Sequence, residues 1–435
     1  GEPMKPLKLL IVIILLLTGV PAVWGYPLDG YPFTGIIRLE GFRLAQNGTV
    51  RGRQLPAGAL LNLEQVDLRM PDQADFQIPA ADPEFTGKVK QLLGGEADRY
   101  GISLMDLSDP ENPRYVEHRG DYQANPGSVG KLIVVLGIFQ ALADIYPDDI
   151  EARLKVLRNT VVTADSFIIS DHHKAPFWEP DGPKIWYRPI QEGDRASLWT
   201  YLDWMLSASS NAAASMVMRE LMLLVQFGSE YPVSPEVERR FFKESPKKEL
   251  EALLVKALQE PVTRNGLDIK QLRQGSFFTR NGKKMVPGTT SYANPRELMR
   301  FLIKMEQGRL VDVFSSREIK RLTYMTQRRI RYASSPALSP AAVYFKSGSL
   351  YKCKPEPDFK CRKYHGNVTN MLNSVAIVEH PAGKGQLFYM VVVMSNVLRK
   401  NSAVAHQTLA TRIHRLIERH YQERKSIEEK DRSQK

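Results

Sequence analysis

The run Lys131-Leu132-Ile133-Val134-Val135-Leu136-Gly137-Ile138-Phe139-Gln140-Ala141-Leu142 is apolar around nearly its whole circumference. A helix of that kind has no face to offer water, so the protein must enclose it. Pro126-Gly127-Ser128 breaks the chain just ahead of it. Ser128 therefore stands at the N-terminus of a buried helix, where backbone N–H groups and the helix dipole favour developing negative charge. A serine hydroxyl is a poor nucleophile until a base takes its proton. Lys131 lies three positions on, sharing a helical face with Ser128, and can reach it.

Two further motifs follow in order. Ser209-Ser210-Asn211 falls in a turn between segments 197–206 and 212–224, both of which read as helices. Lys346-Ser347-Gly348 lies in Ala342-Val343-Tyr344-Phe345-Lys346-Ser347-Gly348-Ser349-Leu350-Tyr351, whose branched and aromatic residues favour a strand. A cation and a hydroxyl on a strand edge can hold a carboxylate, and the glycine lets a substrate backbone approach. Ser-x-x-Lys also occurs at Ser245 and Ser349, but the first lies in a charged stretch and the second follows the strand motif. The other two motifs occur once each. The trio describes an acyl-serine hydrolase site.

At 435 residues, with 43% hydrophobic and 25% charged side chains, the chain has the balance of a soluble globular protein. Residues 1–25 read as a signal peptide: a basic start at Met4-Lys5, an apolar run from Leu9, then Ala22 and Gly25. Gly1-Glu2-Pro3 ahead of the methionine reads as a scar or an alternative start. The expected location is exported and periplasmic. There, Cys353 and Cys361, in one polar insert, are expected to form a disulfide. The net charge of +12 suits association with an anionic cell envelope. Export and the lack of a recognition motif argue against nucleic acid as partner. Neither the cysteines nor Asp171-His172-His173, read as a solvated loop, make a metal site.

Residues 26–82, short apolar stretches broken by Gly and Pro, read as a small β-rich extension. The main domain is assigned to 83–421 and a frayed charged tail to 422–435. Segments 100–107 and 114–119 read as paired strands. Segment 234–259 reads as a charged helical surface insertion. Asn294-Pro295-Arg296-Glu297 starts a helix ended by Gly308, and Ser315 opens another. Strands at 343–351, 374–379 and 388–395 and a helix over 403–421 follow. The loop with Trp178 and Trp186 either packs inward or lines a groove. The order predicts an α+β fold, with one antiparallel sheet built from both chain ends and a helical lobe packed on it.

From about residue 100 to 420 this arrangement resembles the class A β-lactamase-like branch of the penicillin-recognising serine hydrolases. Tyr115-Val116-Glu117-His118-Arg119-Gly120 looks like that family's second strand, and Leu350-Tyr351, Val375-Ala376-Ile377-Val378 and Val391-Val392-Val393-Met394-Ser395 look like its last three. The resemblance implies Ser128 as nucleophile, Lys131 as its base or proton relay, and Ser209 as the donor to the leaving nitrogen. Asn211 would hold the substrate amide, and Lys346 with Ser347 would bind a carboxylate. The backbone N–H groups of Ser128 and Ser349, beside Gly348, would form an oxyanion hole. No cofactor is implied.

Two departures matter. Class A β-lactamases carry a Glu-x-x-x-Asn loop whose glutamate directs water onto the acyl-enzyme; the nearest match here, Glu260-Pro261-Val262-Thr263-Arg264-Asn265, is one residue too long. Glu260 is the candidate for that base. Ser210 stands where relatives often carry Asp. Three functions remain open: a β-lactamase-like hydrolase of small β-lactams, a DD-peptidase on peptidoglycan stem peptides, and a non-catalytic peptidoglycan-binding protein of the envelope.

Overall fold

The structure, a computed structural model, describes residues 28–324 and 329–434. The expected signal peptide at 1–25 lies outside the described residues. The principal elements in chain order are α1 (Ile37–Gln46), α2 (Pro83–Leu93), β1 (Tyr100–Asp106), β2 (Arg114–His118), α3 (Lys131–Ile145), α4 (Leu198–Ser207), α5 (Asn211–Phe227) and α6 (Lys247–Arg264). They continue with α7 (Pro295–Glu306), α8 (Val313–Tyr324), β3 (Ala342–Lys352), β4 (Thr369–His380), β5 (Leu387–Asn396) and α9 (Ser402–Ser433).

The five strands form one antiparallel sheet in the order β2-β1-β5-β4-β3. The early strand β1 pairs with the late strand β5, Ile102 opposite Val393 and Leu104 opposite Val391, so both chain ends meet in the sheet's centre. Period-two alternation assigns the faces. Met390, Val392 and Met394 of β5 point into the core shared with the helical lobe, while Tyr389, Val391 and Val393 point into a second core under α2 and α9. Hydrophobic burial on both faces explains why β5 reads as a continuous apolar run.

Within the lobe, α3 is buried from Lys131 to Leu142. Among the described residues, Gly127–Ile145 is the one helix long and apolar enough to cross a membrane, and most of it is buried inside the protein. Gly137 lets neighbours close on it: a Cβ there would sit 2.8 Å from Leu221 Cδ2 and 3.1 Å from the Ala257 carbonyl oxygen.

Four expectations need correction. Residues 28–82 contain no strand; Phe33 to Leu39 run through two helical segments, and α1 buries Arg38, Leu39, Gly41, Phe42 and Ala45 on one face. Nor is this stretch an appendage, since Ile36, Leu39, Leu61, Val66 and Met70 belong to the main core. Segment 234–259 is no surface insertion, because α6 buries Leu250, Leu254, Ala257, Leu258 and Val262 within that same core. The charged tail is the last part of α9, where Arg424 and Lys425 pair with Glu428 at 3.1 and 3.3 Å; i,i+3 and i,i+4 pairs of this kind support a solvated helix. Finally, α8 opens at Val313, with Asp312 accepting from the Ser315 N–H at 2.8 Å, rather than at Ser315 itself.

Cys353 and Cys361 are joined in a disulfide with Cα atoms 6.1 Å apart. It closes the loop that follows β3.

Candidate active site

Ser128 lies in a short 3-10 turn, Gly127–Gly130, that runs straight into α3. The turn abuts β3. A Cβ on Gly348 would sit 2.5 Å from the Ser128 nitrogen and 2.6 Å from the Pro126 carbonyl oxygen, so only glycine lets the two backbones approach this closely. One on Gly127 would sit 3.5 Å from the Ser349 nitrogen. The backbone nitrogens of Ser128 and Ser349 therefore flank one narrow seam.

Lys131 Nζ is buried and stands 3.0 Å from Ser128 Oγ. It also donates to the Ser209 carbonyl at 2.7 Å and to Asn211 Oδ1 at 2.8 Å. Those two partners can only accept, whereas Ser128 is a hydroxyl that can donate. A neutral amine can spend its two N–H bonds on these acceptors and turn its lone pair toward the Ser128 proton, with Ser209 Oγ, 3.3 Å away, as a fourth neighbour. Burial pushes Lys131 down to about 7, with Asp171 opposing and Arg331 adding to the fall. The neutral form is thus accessible at ordinary pH.

The second motif is held by an unexpected group. Ser210 caps α5, accepting from the Ala213 N–H at 3.0 Å, and donates to Asp171 Oδ2 at 3.2 Å. The same oxygen accepts from the Ala212 N–H at 2.8 Å. Asp171 is not solvated as its loop sequence suggests: its side chain is 3% exposed and lies 2.6 Å from His173 Nδ1. Burial pushes this carboxyl up, but the His173 hydrogen bond and charge and the Ala212 N–H prevail and hold it at about 2. His172 and His173 themselves are exposed.

These caps fix Ser209 at φ 55°, a left-handed conformation that costs a residue with a side chain about 1–3 kcal/mol. The strained turn sets Ser209 Oγ between two amines, 3.0 Å from Lys346 Nζ and 3.3 Å from Lys131 Nζ. Lys346 is buried and also donates to the Ser347 carbonyl at 2.8 Å. Burial pushes its ammonium well down, with Lys131 and Arg331 adding repulsion.

Two further residues carry no local motif. Arg331, with φ 53°, donates to Ser347 Oγ at 2.7 Å and to Tyr364 Oη at 2.9 Å, with Ser349 Oγ at 3.4 Å. The Phe278 ring lies 5.0 Å from Lys131 Nζ. A cleft of about 680 Å³ opens beside Asn211 and Ala208, rimmed by Arg53, Lys174, Tyr187 and Lys363. Trp178 packs inward against Gly41, whereas Trp186 stacks on Phe177 with ring centroids 5.0 Å apart. Arg53 comes from the N-terminal stretch and Lys363 from just beyond the disulfide, so both segments shape the approach.

Ser128, Lys131, Ser209, Asn211, Lys346, Ser347, Gly348 and Ser349 converge here; Glu260 does not. It lies near the end of α6, exposed, with Arg264 as its charged neighbour. Asn265 is not a loop ligand either: its amide donates to Gln140 Oε1 at 2.9 Å and its oxygen accepts from the Val311 N–H at 2.7 Å. The Glu-to-Asn segment is a helix end because Leu254, Ala257, Leu258 and Val262 anchor it to the core.

No family model and no curated protein sequence matches this chain. Among solved structures it is similar to PBP-A, at 13% identity and a TM-score of 0.48, over 79% of this chain and 100% of that one. It is also similar to the β-lactamases of Sphaerobacter thermophilus (14% identity, TM-score 0.48, 76% of this chain and 97% of that one) and Chitinophaga pinensis (17%, 0.47, 76% and 96%). The likeness is one of fold alone.

Proposed function

We propose that the chain is an exported serine hydrolase that opens amide bonds of the β-lactam type through an ester on Ser128 and turns that ester over slowly. The observation that carries this reading is the buried Lys131 amine, 3.0 Å from Ser128 Oγ, with two other contacts that can only accept. As Ser128 Oγ bonds to the carbonyl carbon, Lys131 takes its proton. The oxyanion forms toward the backbone N–H groups of Ser128 and Ser349. Collapse breaks the C–N bond. Lys131 returns its proton to Ser209, whose own hydroxyl proton passes to the leaving nitrogen. Water then cleaves the ester and frees Ser128.

Arg331, with Lys346 beside it, favours a substrate that brings a carboxylate, whose charge would in turn favour the protonated form of Lys346. The basic rim of Arg53, Lys174 and Lys363 fits the chain's net charge of +12 and association with an anionic envelope. A second reading, a DD-peptidase on peptidoglycan stem peptides, is favoured by one specific observation. Among the described residues no carboxylate hydrogen-bonds to Ser128 or Lys131, and Glu260 faces solvent elsewhere. General-base assistance is worth about 10²–10⁴ in rate, so its absence makes deacylation limiting by a wide margin.

The test is to mix pure protein with a penicillin and follow both intact mass and product. The expected result is a burst of about one equivalent, an adduct that persists, and slow turnover. Ser128→Ala should lose the adduct while keeping the fold. Rapid hydrolysis without a burst would mean that another group activates water. No adduct at all would leave the non-catalytic binding role. An adduct together with cleavage of D-Ala-D-Ala peptides would establish the peptidase.

A further inference from the structure

On the sheet face turned away from Ser128, three potential metal ligands meet. His380 ends β4, on the same face as Ala376 and Val378 that α9 covers. His414 and Glu418 stand one turn apart on α9. Glu418 Oε1 is 3.6 Å from His414 Nε2 and 3.8 Å from His380 Nε2. The two rings pack edge to face with centroids 4.8 Å apart, and one ligand atom from each of the three residues lies within 4.8 Å of the others.

A second observation points to a ligand. The His414 side chain is 1% exposed, yet its Nε2 has no hydrogen-bond partner. Its other nitrogen, Nδ1, is engaged 2.7 Å from Tyr389 Oη. A buried ring nitrogen without a partner is costly. Here it faces the carboxylate and the second imidazole, too far from either for a hydrogen bond.

We propose that His380, His414 and Glu418 form a binding site for one divalent transition-metal cation, with zinc the best fit, held by two imidazole nitrogens and one carboxylate oxygen. Zinc takes this donor set in tetrahedral geometry at about 2.0–2.2 Å, which sets the ligand atoms about 3.3 Å apart. The two Glu418 contacts need to shorten by about 0.5 Å or less and the widest separation, within 4.8 Å, by up to about 1.5 Å, through side-chain rotation of the partly exposed His380 and Glu418. Calcium and magnesium prefer all-oxygen sets. Tyr389 plays the outer partner that fixes the ring and tautomer of a metal-bound histidine. Glu418 and His380 are 42% and 18% exposed, which gives the ion a way in and leaves its fourth position to water.

The site is separate from the Ser128 centre. His380 lies six residues beyond Ser374, the partner of Ser347, which is about 20 Å along the strand. The ion would clamp α9 to the end of β4.

The experiment titrates untagged, chelator-stripped protein with Zn²⁺ by calorimetry, and with Co²⁺ by its visible d–d bands. The expected result is one equivalent bound, a tetrahedral Co²⁺ spectrum, and a melting temperature raised by metal. Glu418→Gln and His380→Asn, at partly exposed positions that should preserve folding, are expected to weaken binding at least about tenfold, and Tyr389→Phe by about tenfold. Ser128→Ala and His173→Ala should bind as the parent does. No binding, binding undiminished in both Glu418→Gln and His380→Asn, or loss in His173→Ala would overturn the site. Retention of Ni²⁺ or Cu²⁺ with no zinc binding would overturn the choice of metal.

Discussion

Arg331 donates to Ser347 Oγ at 2.7 Å, so the hydroxyl after Lys346 already carries a fixed guanidinium. In the proposed reaction this pair receives the substrate carboxylate. Removing one charge-assisted hydrogen bond costs about 1.5–3 kcal/mol, or roughly 10- to 100-fold in affinity. Arg331→Ala should therefore raise the penicillin concentration giving half-maximal acylation by about that factor, with the limiting rate little changed. Stopped-flow measurement of adduct formation separates the two. A loss in limiting rate alone would show that Arg331 does not bind substrate.

Acylation should gain speed with pH through about 7, where Lys131 loses its proton, and then level off. Burst rates from about pH 5 to 9 would show this. The same shift predicts a stability trend of the same sign. Lys131 titrates near 10.5 when unperturbed, so between about 7 and 10.5 the unfolded chain holds more protons, and this group's contribution to unfolding free energy rises with pH. That contribution is fully present above 10.5 and is lost as pH falls through about 7. An acylation rate that falls with pH would place the base elsewhere.

Arg38 and Asp203 form a bidentate ion pair, both contacts 2.6 Å, with side chains 3% and 0% exposed. Arg38→Ala strands a buried carboxylate and should destabilise the protein by about 3–5 kcal/mol, read as a lower urea midpoint. Because Asp203 sits on α4, which leads into Ser209, penicillin labelling should fall as well. The double variant Arg38→Met with Asp203→Leu should recover much of the stability. A single variant with an unchanged midpoint would contradict the assigned role.

The legible parts were those whose signal is local. Branched and aromatic runs gave the five strands, and Asn294-Pro295 marked the start of α7, where Asn294 Oδ1 accepts from the Glu297 N–H at 2.9 Å. The three motifs were legible because each needs its residues within a few positions. Arg331 was not, because its part depends on a left-handed backbone and on partners in β3 and the disulfide loop, none adjacent in sequence. Asp171 was missed for a similar reason: Asp171-His172-His173 read as a solvated loop, while the partner of Asp171 is the start of α5, distant in sequence. In residues 28–82, Gly and Pro spacing outweighed the helical spacing of Leu39, Phe42 and Ala45, and tertiary burial decided the outcome. The one-residue excess before Asn265 was a true warning that Glu260 belongs to a helix.

The pairing of Met105 with Met390 has a consequence for the growing chain. These neighbours emerge from the ribosome nearly 300 residues apart, which at about 5–20 residues per second is on the order of 15–60 seconds. During that interval the greasy stretch from Leu132 to Leu142 is synthesised while the strands that complete the central sheet do not yet exist. A truncation lacking β5 should therefore be recovered as aggregate rather than as a smaller folded lobe.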